Sequence, residues 1–293
     1  MSYSKLSIIA LFFVLSSCAF NGLFLHPYKL SEESSFNGYS KQLEDTITLS
    51  FAGDQPQFHR SNSDTANLDY TIKSINFESK TSDTLNAWLL EPKSNFNGTL
   101  IYWLHGNAGH IVYQYQLVTP FVEKGFKVFM IDYSGFGFSS GEATRKNTLQ
   151  NGCDGFEFMK GMNIPHEKTL IYGQSLGGHL ASVVAPLYQD QLDGLVIEGA
   201  FNSHKAVAST RVPILPWVFV SEMYKGQRSI RDFHKPFLSI HSVNDRTVKY
   251  KLGKRLYDHA NEPKEHFAID SCHVCGPLYY RDSIVNKMQN MVK

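Results

Sequence analysis

An excess of charge of either sign is missing from this sequence, because 28 lysines and arginines balance 27 aspartates and glutamates and leave a net charge of +1. No local run of basic residues replaces it, so the sequence carries no electrostatic signature of nucleic-acid binding. Internal repeats and long low-complexity tracts are missing as well. The 293 residues are 42% hydrophobic and 19% charged, which is typical of a globular protein large enough to bury a sizeable core.

The first residues have the pattern of an export signal. A short start with one basic side chain precedes an apolar run at residues 6–15 (LSIIALFFVL), and small residues then lead to Cys18. The ending LSSC at residues 15–18 resembles the lipobox of bacterial lipoproteins, in which the chain is cut before the cysteine and its thiol is lipidated. This interpretation makes residues 1–17 a signal peptide and the protein membrane-anchored and extracytoplasmic. The alternative is an uncleaved anchor over residues 6–25.

Cysteine is scarce, and four residues of this type are too few for a disulfide scaffold in a chain of this length. Cys272 and Cys275 form a C-x-x-C pair, while Cys153 lies far from them in sequence. A metal site would need more ligands at suitable spacing. In an exported protein we expect a disulfide within the pair or between one member and Cys153, with free buried thiols as the alternative.

Strands and helices alternate over most of the remaining chain. We interpret residues 18–69 as a tether and an irregular N-terminal extension, whose one strand-like piece is residues 46–51. Residues 70–77 and 85–90 predict an antiparallel hairpin. Short apolar runs of the buried-strand type then alternate with helical segments. The predicted strands are residues 99–104, 127–131, 169–172, 194–197, 237–241 and 266–269. The predicted helices are residues 112–124, 144–160, 176–188, 248–260 and 278–291. This alternation predicts that residues 70–293 fold into an α/β domain with a mostly parallel sheet and helices on both faces.

Residues 202–235 interrupt the alternation. The segment is too short for a domain, and it is rich in proline and aromatic residues, among them Trp217, Phe219 and Tyr224. One interpretation is a small cap over the carboxyl edge of the sheet, where open α/β sheets bind ligands. The other is an ordinary crossover helix with flanking loops, and the sequence leaves both open.

Ser175 is the candidate nucleophile. It is the central residue of a G-x-S-x-G motif at residues 173–177 (GQSLG), which follows a predicted strand and precedes a predicted helix. That context is the one in which this motif forms a sharp turn and presents the serine hydroxyl at the top of the sheet. Side chains at Gly173 and Gly177 would crowd the junction between strand and helix. The alternative is a serine that only caps the helix.

Ser175 needs a base, and the base needs an orienting acid. On this kind of sheet the acid and then the histidine follow the serine along the chain. Asp245 and His273 match that order, and each lies in a loop after a predicted strand. The alternatives are a helix-capping aspartate and a surface histidine. Glu198, at the end of another strand, is a back-up acid whose expected role is structural.

Two backbone amides are candidate donors for an oxyanion. The first is that of Leu176, directly after the nucleophile, and the second is that of Asn107 in the turn at residues 105–109 (HGNAG). Gly106 and Gly109 permit a tight turn there. The alternative is a plain connection between strand and helix, which the His-Gly start at residues 105–106 disfavours.

Three blocks of sequence together resemble the BEM46-type branch of the α/β-hydrolases. They are HGNAG at residues 105–109, DYSGFGFSSGE at residues 132–142 and GQSLGG at residues 173–178. The resemblance runs from about residue 70 to the C-terminus and implies the α/β-hydrolase fold, with Ser175, Asp245 and His273 as nucleophile, acid and base. Members are often held at membranes by an N-terminal hydrophobic segment. The loop before the acid departs from the family pattern, as do the cysteines that flank the base.

The expected function is hydrolysis of acyl esters, including lipid-derived ones, at a membrane. The triad would act through an acyl-enzyme without a metal or an organic cofactor. A peptidase or amidase with the same triad is the first alternative, because leaving-group preference depends on the shape of the pocket. A non-catalytic surface protein on a hydrolase scaffold is the second.

Overall fold

The computed structural model describes residues 21–40, 43–107, 109–210 and 220–293. The predicted signal peptide and Cys18 lie outside these residues, and so do Trp217 and Phe219. No helix of the described ranges is long and apolar enough to cross a membrane.

Before the main domain the chain forms a small sheet that the sequence analysis did not predict. Strands β1 (Phe36–Ser40), β2 (Asp45–Ala52) and β3 (Gln55–Arg60) pair antiparallel in the order β1-β2-β3. The strand expected at residues 46–51 is confirmed as β2, but the expectation of an otherwise irregular extension is wrong. The flanking strands have weakly apolar sequences, and they are held by packing: Phe36 and Phe58 lie against the core of the main domain.

The main sheet has eight strands. They are β4 (Tyr70–Glu78), β5 (Thr84–Pro92), β6 (Thr99–Leu104), β7 (Lys127–Ile131), β8 (Lys168–Gln174), β9 (Gly194–Glu198), β10 (Phe237–Ser242) and β11 (Lys264–Ile269), in the spatial order β11-β10-β9-β8-β6-β7-β5-β4. The hairpin of β4 and β5 pairs antiparallel with β7, and the remaining neighbours are parallel. The predicted mostly parallel sheet is therefore confirmed, with the hairpin at one edge.

Both faces of the sheet are buried. In β6, Leu100 and Tyr102 belong to one hydrophobic cluster, while Ile101 and Trp103 belong to the other. This alternation follows from the two-residue period of a strand, and it explains why all six positions of β6 are buried.

The helices predicted at residues 112–124, 144–160, 176–188 and 248–260 are confirmed, whereas short helices at residues 21–24, 204–209 and 226–229 were not predicted. Helices cover both faces of the sheet. They are α1 (Asn21–Phe24), α2 (Ile111–Val122), α3 (Arg145–Gly161), α4 (Leu176–Leu187), α5 (His204–Ser209), α6 (Gly226–Ser229), α7 (Tyr250–Asp258), α8 (Gly276–Tyr279) and α9 (Arg281–Met291). Polar side chains cap several of them; Thr144, for example, accepts a hydrogen bond from the amide of Asn147 at the start of α3. The closing helix expected at residues 278–291 is instead two helices, α8 and α9.

The segment at residues 202–235 contains α5 and α6 between β9 and β10, with residues 211–219 outside the described part. Tyr224 is buried against His179 and His204. Helix α5 lies beside the nucleophile, where Val207 and Ala208 line the same cavity as Ser175. The segment thus covers part of the sheet's carboxyl edge.

Candidate active site

Ser175 lies in a strained turn between β8 and α4. Its backbone has φ of 54° and ψ of −115°, a conformation that side-chain-bearing residues rarely adopt. The flanking glycines make the turn possible: a Cβ atom at Gly173 would lie 2.3 Å from the carbonyl oxygen of Gly177, and one at Gly177 would lie 2.0 Å from that of Leu104. The Ser175 side chain makes no capping hydrogen bond to α4. The helix-capping alternative is therefore wrong, and the hydroxyl is free for another partner.

That partner is His273. Its Nε2 atom lies 2.9 Å from Ser175 Oγ, and its Nδ1 atom lies 2.6 Å from Asp245 Oδ2. The three side chains come from three loops at the carboxyl ends of β8, β10 and β11, which the parallel sheet brings to one edge. The structure thus unites the three residues that the sequence singled out.

The Asp245 carboxylate is fixed on both oxygens. Oδ1 accepts hydrogen bonds from the amides of Thr247 and Val248, each at 2.8 Å. Both amides lie in the loop before α7, whose N-cap is Lys249, so Asp245 is not the helix cap that the alternative expected. Oδ2 faces His273 and, at 3.4 Å, His241. Burial alone would raise the pKa of Asp245, but the hydrogen bonds from His241 and His273 outweigh it and lower the pKa. An ionised Asp245 accepts a hydrogen bond from the Nδ1–H group of His273, which leaves Nε2 free to accept the hydroxyl proton of Ser175.

The candidate oxyanion donors lie beside the serine. Leu176 is the first residue of α4, and Asn107 lines the same cavity as Ser175. Gly106 passes close by, since a Cβ atom there would be 3.4 Å from that of Ser175. His105 is fully buried and donates from Nδ1 to the carbonyl of Gly106, at 2.7 Å. Burial lowers its pKa to about 4, so His105 is a neutral part of the turn.

Asp132 contacts the chain at both ends of the turn at residues 105–109. Its Oδ1 atom accepts a hydrogen bond from the amide of Ile111 at 2.8 Å, and His105 Nε2 lies 3.5 Å from the same oxygen. Burial raises the pKa of Asp132 to about 7, against the smaller opposing effects of the Ile111 amide and Lys29. These contacts give the loop after β7 a structural role.

Glu198 is not the acid that orients His273, because the hydrogen bond of His273 Nδ1 goes to Asp245. Its carboxylate is buried and accepts hydrogen bonds from Tyr172, Gln174 and the amide of Gly276. The last contact ties Glu198 to the chain that follows His273, and Gln174 donates to the carbonyl of Val274 in the same loop. Glu198 therefore braces the loop that carries the histidine, in line with its expected structural role.

Sequence reasoning missed a glycine that packs against the histidine of this loop. Gly199, with φ of 58°, packs directly against the imidazole: a Cβ atom there would lie 2.9 Å from His273 Cε1. Within the loop, the Cys272–Cys275 disulfide closes a ring in which Val274 has φ of 52°. The disulfide was one of two pairings left open, and Cys153 is a free, partly buried thiol. A positive φ at a β-branched residue is uncommon and marks a constrained loop.

A mainly apolar cavity of about 350 Å³ opens at Ser175. Its apolar lining residues are Phe24, Leu176, Phe201, Val207, Ala208, Val248 and Val274, and beside Ser175 and His273 the polar residues are His26, Asn107, Gln114 and Thr247. Concave apolar sites with a few converging polar groups are the usual form of small-molecule sites. Among the described residues no group of three or more His, Cys, Asp or Glu side chains could hold a metal ion.

The sheet order, the helices on both faces and the turn at Ser175 are those of the α/β-hydrolase fold. A model of the alpha/beta hydrolase fold matches residues 99–229, which include the turn at Asn107 and the strand-turn-helix around Ser175. Solved structures agree: an esterase from Pyrococcus furiosus superposes with a TM-score of 0.63 over 76% of this chain and 92% of its own, at 16% identity. Est1E from Butyrivibrio proteoclasticus, solved with ferulic acid, gives a TM-score of 0.62 over 74% of this chain and 99% of its own, at 18% identity. At these identities the two structures show the fold alone.

Relatives by sequence are BEM46-like. The protein YfhR of Escherichia coli O157:H7, whose name assigns no activity, is 28% identical over 74% of this chain and 80% of its own length. Protein bem46 of Schizosaccharomyces pombe is 27% identical over 69% of this chain and 70% of its own. The lysophosphatidylserine lipase ABHD12 of Danio rerio is 26% identical over 56% of this chain and 48% of its own. The chain is thus an α/β-hydrolase-fold protein with BEM46-like relatives, as its three sequence blocks predicted.

Proposed function

We propose that this protein is a membrane-associated serine hydrolase that cleaves esters carrying an apolar acyl group. The observation that carries the proposal is the continuous hydrogen-bonded chain from Ser175 Oγ through His273 to Asp245, with distances of 2.9 and 2.6 Å. A hydroxyl, an imidazole and a buried carboxylate in this order are the components of nucleophilic acyl transfer.

In the proposed reaction His273 Nε2 takes the proton of Ser175 as Oγ attacks the ester carbonyl. The amides of Asn107 and Leu176 stabilise the negative charge on the carbonyl oxygen. His273 then gives the proton to the leaving alcohol, and the acyl group remains on Ser175. Water, deprotonated by His273, releases the acid in the second half. Asp245 stays ionised throughout and stabilises the imidazolium, as its lowered pKa favours.

Three observations support an ester with an apolar acyl group delivered at a membrane. The cavity at Ser175 is lined mainly by apolar side chains. Structures titled as esterases share the fold, and one sequence relative is named a lysophosphatidylserine lipase. The lipobox-like ending at Cys18 would place the domain at an extracytoplasmic membrane surface, where lipid-derived esters are available.

Labelling with a fluorophosphonate tests whether Ser175 is a nucleophile. We expect the full-length protein to be labelled, Ser175→Ala to lose the label, and Ser283→Ala, which changes an exposed serine on α9, to keep it. Labelling of Ser175→Ala at the wild-type rate would contradict the assignment. No labelling of the folded wild-type protein would favour a non-catalytic scaffold.

A substrate panel separates ester from amide cleavage. We expect hydrolysis of p-nitrophenyl esters and little turnover of aminoacyl anilides by the same preparation. Ser175→Ala provides the background rate for both. Anilide turnover that exceeds ester turnover would replace the proposed esterase with a peptidase or amidase.

A further inference from the structure

The chain that follows the predicted lipidation site is built into the active site. Residues 21–30, called here the N-terminal segment, begin with α1 and then run along the loop after β7. The amide of Leu30 donates to the carbonyl of Gly137 at 2.9 Å, and the amide of Gly137 donates to that of Tyr28 at 2.8 Å. Lys29 Nζ donates to the carbonyl of Ser139. The segment is thus joined to the domain by paired backbone hydrogen bonds.

Two of its residues line the cavity at Ser175. The ring of Phe24 is 6% exposed and belongs to the apolar wall that also contains Val207 and Ala208 of α5. His26 lines the cavity as well, and its backbone amide donates to Asn107 Oδ1 at 2.8 Å. The segment therefore touches both the apolar wall and the turn that holds a candidate oxyanion donor.

Arg145 holds Phe24 in this position. The arginine is 2% exposed, its guanidinium lies 5.1 Å from the centre of the Phe24 ring, and its Nε atom lies 3.4 Å from Asn21 Oδ1. On its other side Arg145 donates to the carbonyl of Ser221 at 2.6 Å. His204 packs edge-on against the same phenyl ring, at 5.0 Å between centroids. A buried cation over an aromatic face restrains the ring more than apolar packing alone.

We propose that the N-terminal segment is a specificity-determining part of the substrate site, in which Phe24 limits the length of the acyl chain that the cavity accepts. The inference rests on the proposed ester hydrolysis and deepens it. The cavity of about 350 Å³ is near the small end of ligand sites and suits a single chain. Removing the phenyl ring would extend the cavity between α5 and the segment, and a larger ring would shorten it.

The same arrangement places the substrate site close to the predicted anchor. Phe24 follows Cys18 by six residues, so even a fully extended connection between them spans at most about 20 Å. A lipid on Cys18 would therefore keep this wall of the cavity within reach of the membrane surface.

Chain-length profiles of the full-length protein in detergent test the inference. The measurement is the ratio of kcat/KM for p-nitrophenyl laurate to that for the butyrate, in wild type, Phe24→Ala and Phe24→Trp. We expect the ratio to rise by about tenfold or more in Phe24→Ala and to fall by a similar factor in Phe24→Trp, because single methylene groups change kcat/KM by about 10–200-fold in apolar pockets. Phe58→Ala, which changes an aromatic ring that packs on Tyr115 outside the cavity, should keep the wild-type ratio.

A ratio measured on one preparation does not depend on the fraction of protein that is folded, so a destabilised variant remains informative. Opposite shifts in the two Phe24 variants would support the inference. Wild-type ratios in both variants, with an active wild type, would overturn the inference and leave the proposed function standing. Absence of ester hydrolysis and of fluorophosphonate labelling in the wild type would overturn both.

Discussion

Gly199 allows the sharpest test of the site's geometry. It follows β9 with φ of 58°, and a Cβ atom there would lie 2.9 Å from His273 Cε1, 3.0 Å from its Nδ1 and 3.0 Å from Val274 Cγ1. Contacts this short force one of the atoms to move. The imidazole cannot move away without lengthening its hydrogen bonds to Ser175 or Asp245.

The expected effects of Gly199→Ala on stability and on activity differ. A left-handed backbone costs an alanine roughly 1–2 kcal/mol relative to glycine, which lowers the free energy of unfolding by that amount. The contact with His273 should displace the ring by a substantial part of an ångström, and a misplacement of about 1 Å can reduce turnover by about 100-fold. We therefore expect kcat to fall by about two orders of magnitude.

Gly53→Ala is the matched control. Gly53 also has a positive φ, 64°, but among the described residues the one atom within 4 Å of its added Cβ, apart from its chain neighbours, would be Glu32 Oε1 at 3.8 Å. Both variants should lose similar stability in urea denaturation, while only Gly199→Ala should lose turnover of p-nitrophenyl butyrate at a temperature where both are folded. Equal kcat values in the two folded variants would refute the reasoning.

Three further perturbations have distinct expected results. Asp245→Asn should lower kcat by about 10³–10⁴-fold, because the imidazole loses its charged partner; a loss below tenfold would contradict that role. Burial raises the pKa of Asp132 to about 7, so its protonation stabilises the fold below that pH and this stabilisation is lost as the pH rises through 7. From pH 8 to pH 5 the free energy of unfolding should therefore rise by about 2–3 kcal/mol more in the wild type than in Asp132→Asn. The same pH dependence in both proteins would contradict this expectation. Reductant should lower kcat several-fold by opening the Cys272–Cys275 ring; a double Cys→Ser variant should be equally slow and insensitive to reductant, and full activity of that variant would exclude the effect.

The parallel sheet and the meeting of three residues could be predicted because both follow from local patterns. Continuous apolar runs marked the buried strands, and loops after parallel strands share one edge of the sheet. Ser175, Asp245 and His273 each follow such a strand, so their approach required no knowledge of distant contacts. The need for glycine on both sides of Ser175 could likewise be predicted, because the turn formed by this motif leaves no room for side chains there.

The remaining features depend on contacts between distant parts of the chain. Gly199 has the sequence context of any loop glycine. Only the position of His273 shows that a side chain at residue 199 would collide with the imidazole. Phe24 and His26 follow an export-like signal and looked like a tether, whereas Arg145 and Asn107 hold them at the cavity. Long-range packing of this kind leaves no periodic signal in the sequence.

The place of the N-terminal segment has a practical consequence for anyone who prepares this protein. A recombinant version that starts at Tyr70 would retain all eight strands of the main sheet together with Ser175, Asp245 and His273. It would lack Phe24 and the His26 amide, and it would uncover the surface on which Leu49 and Phe51 of β2 are buried. Assays on such a shortened protein would report a different, wider site, so expression boundaries should include Asn21.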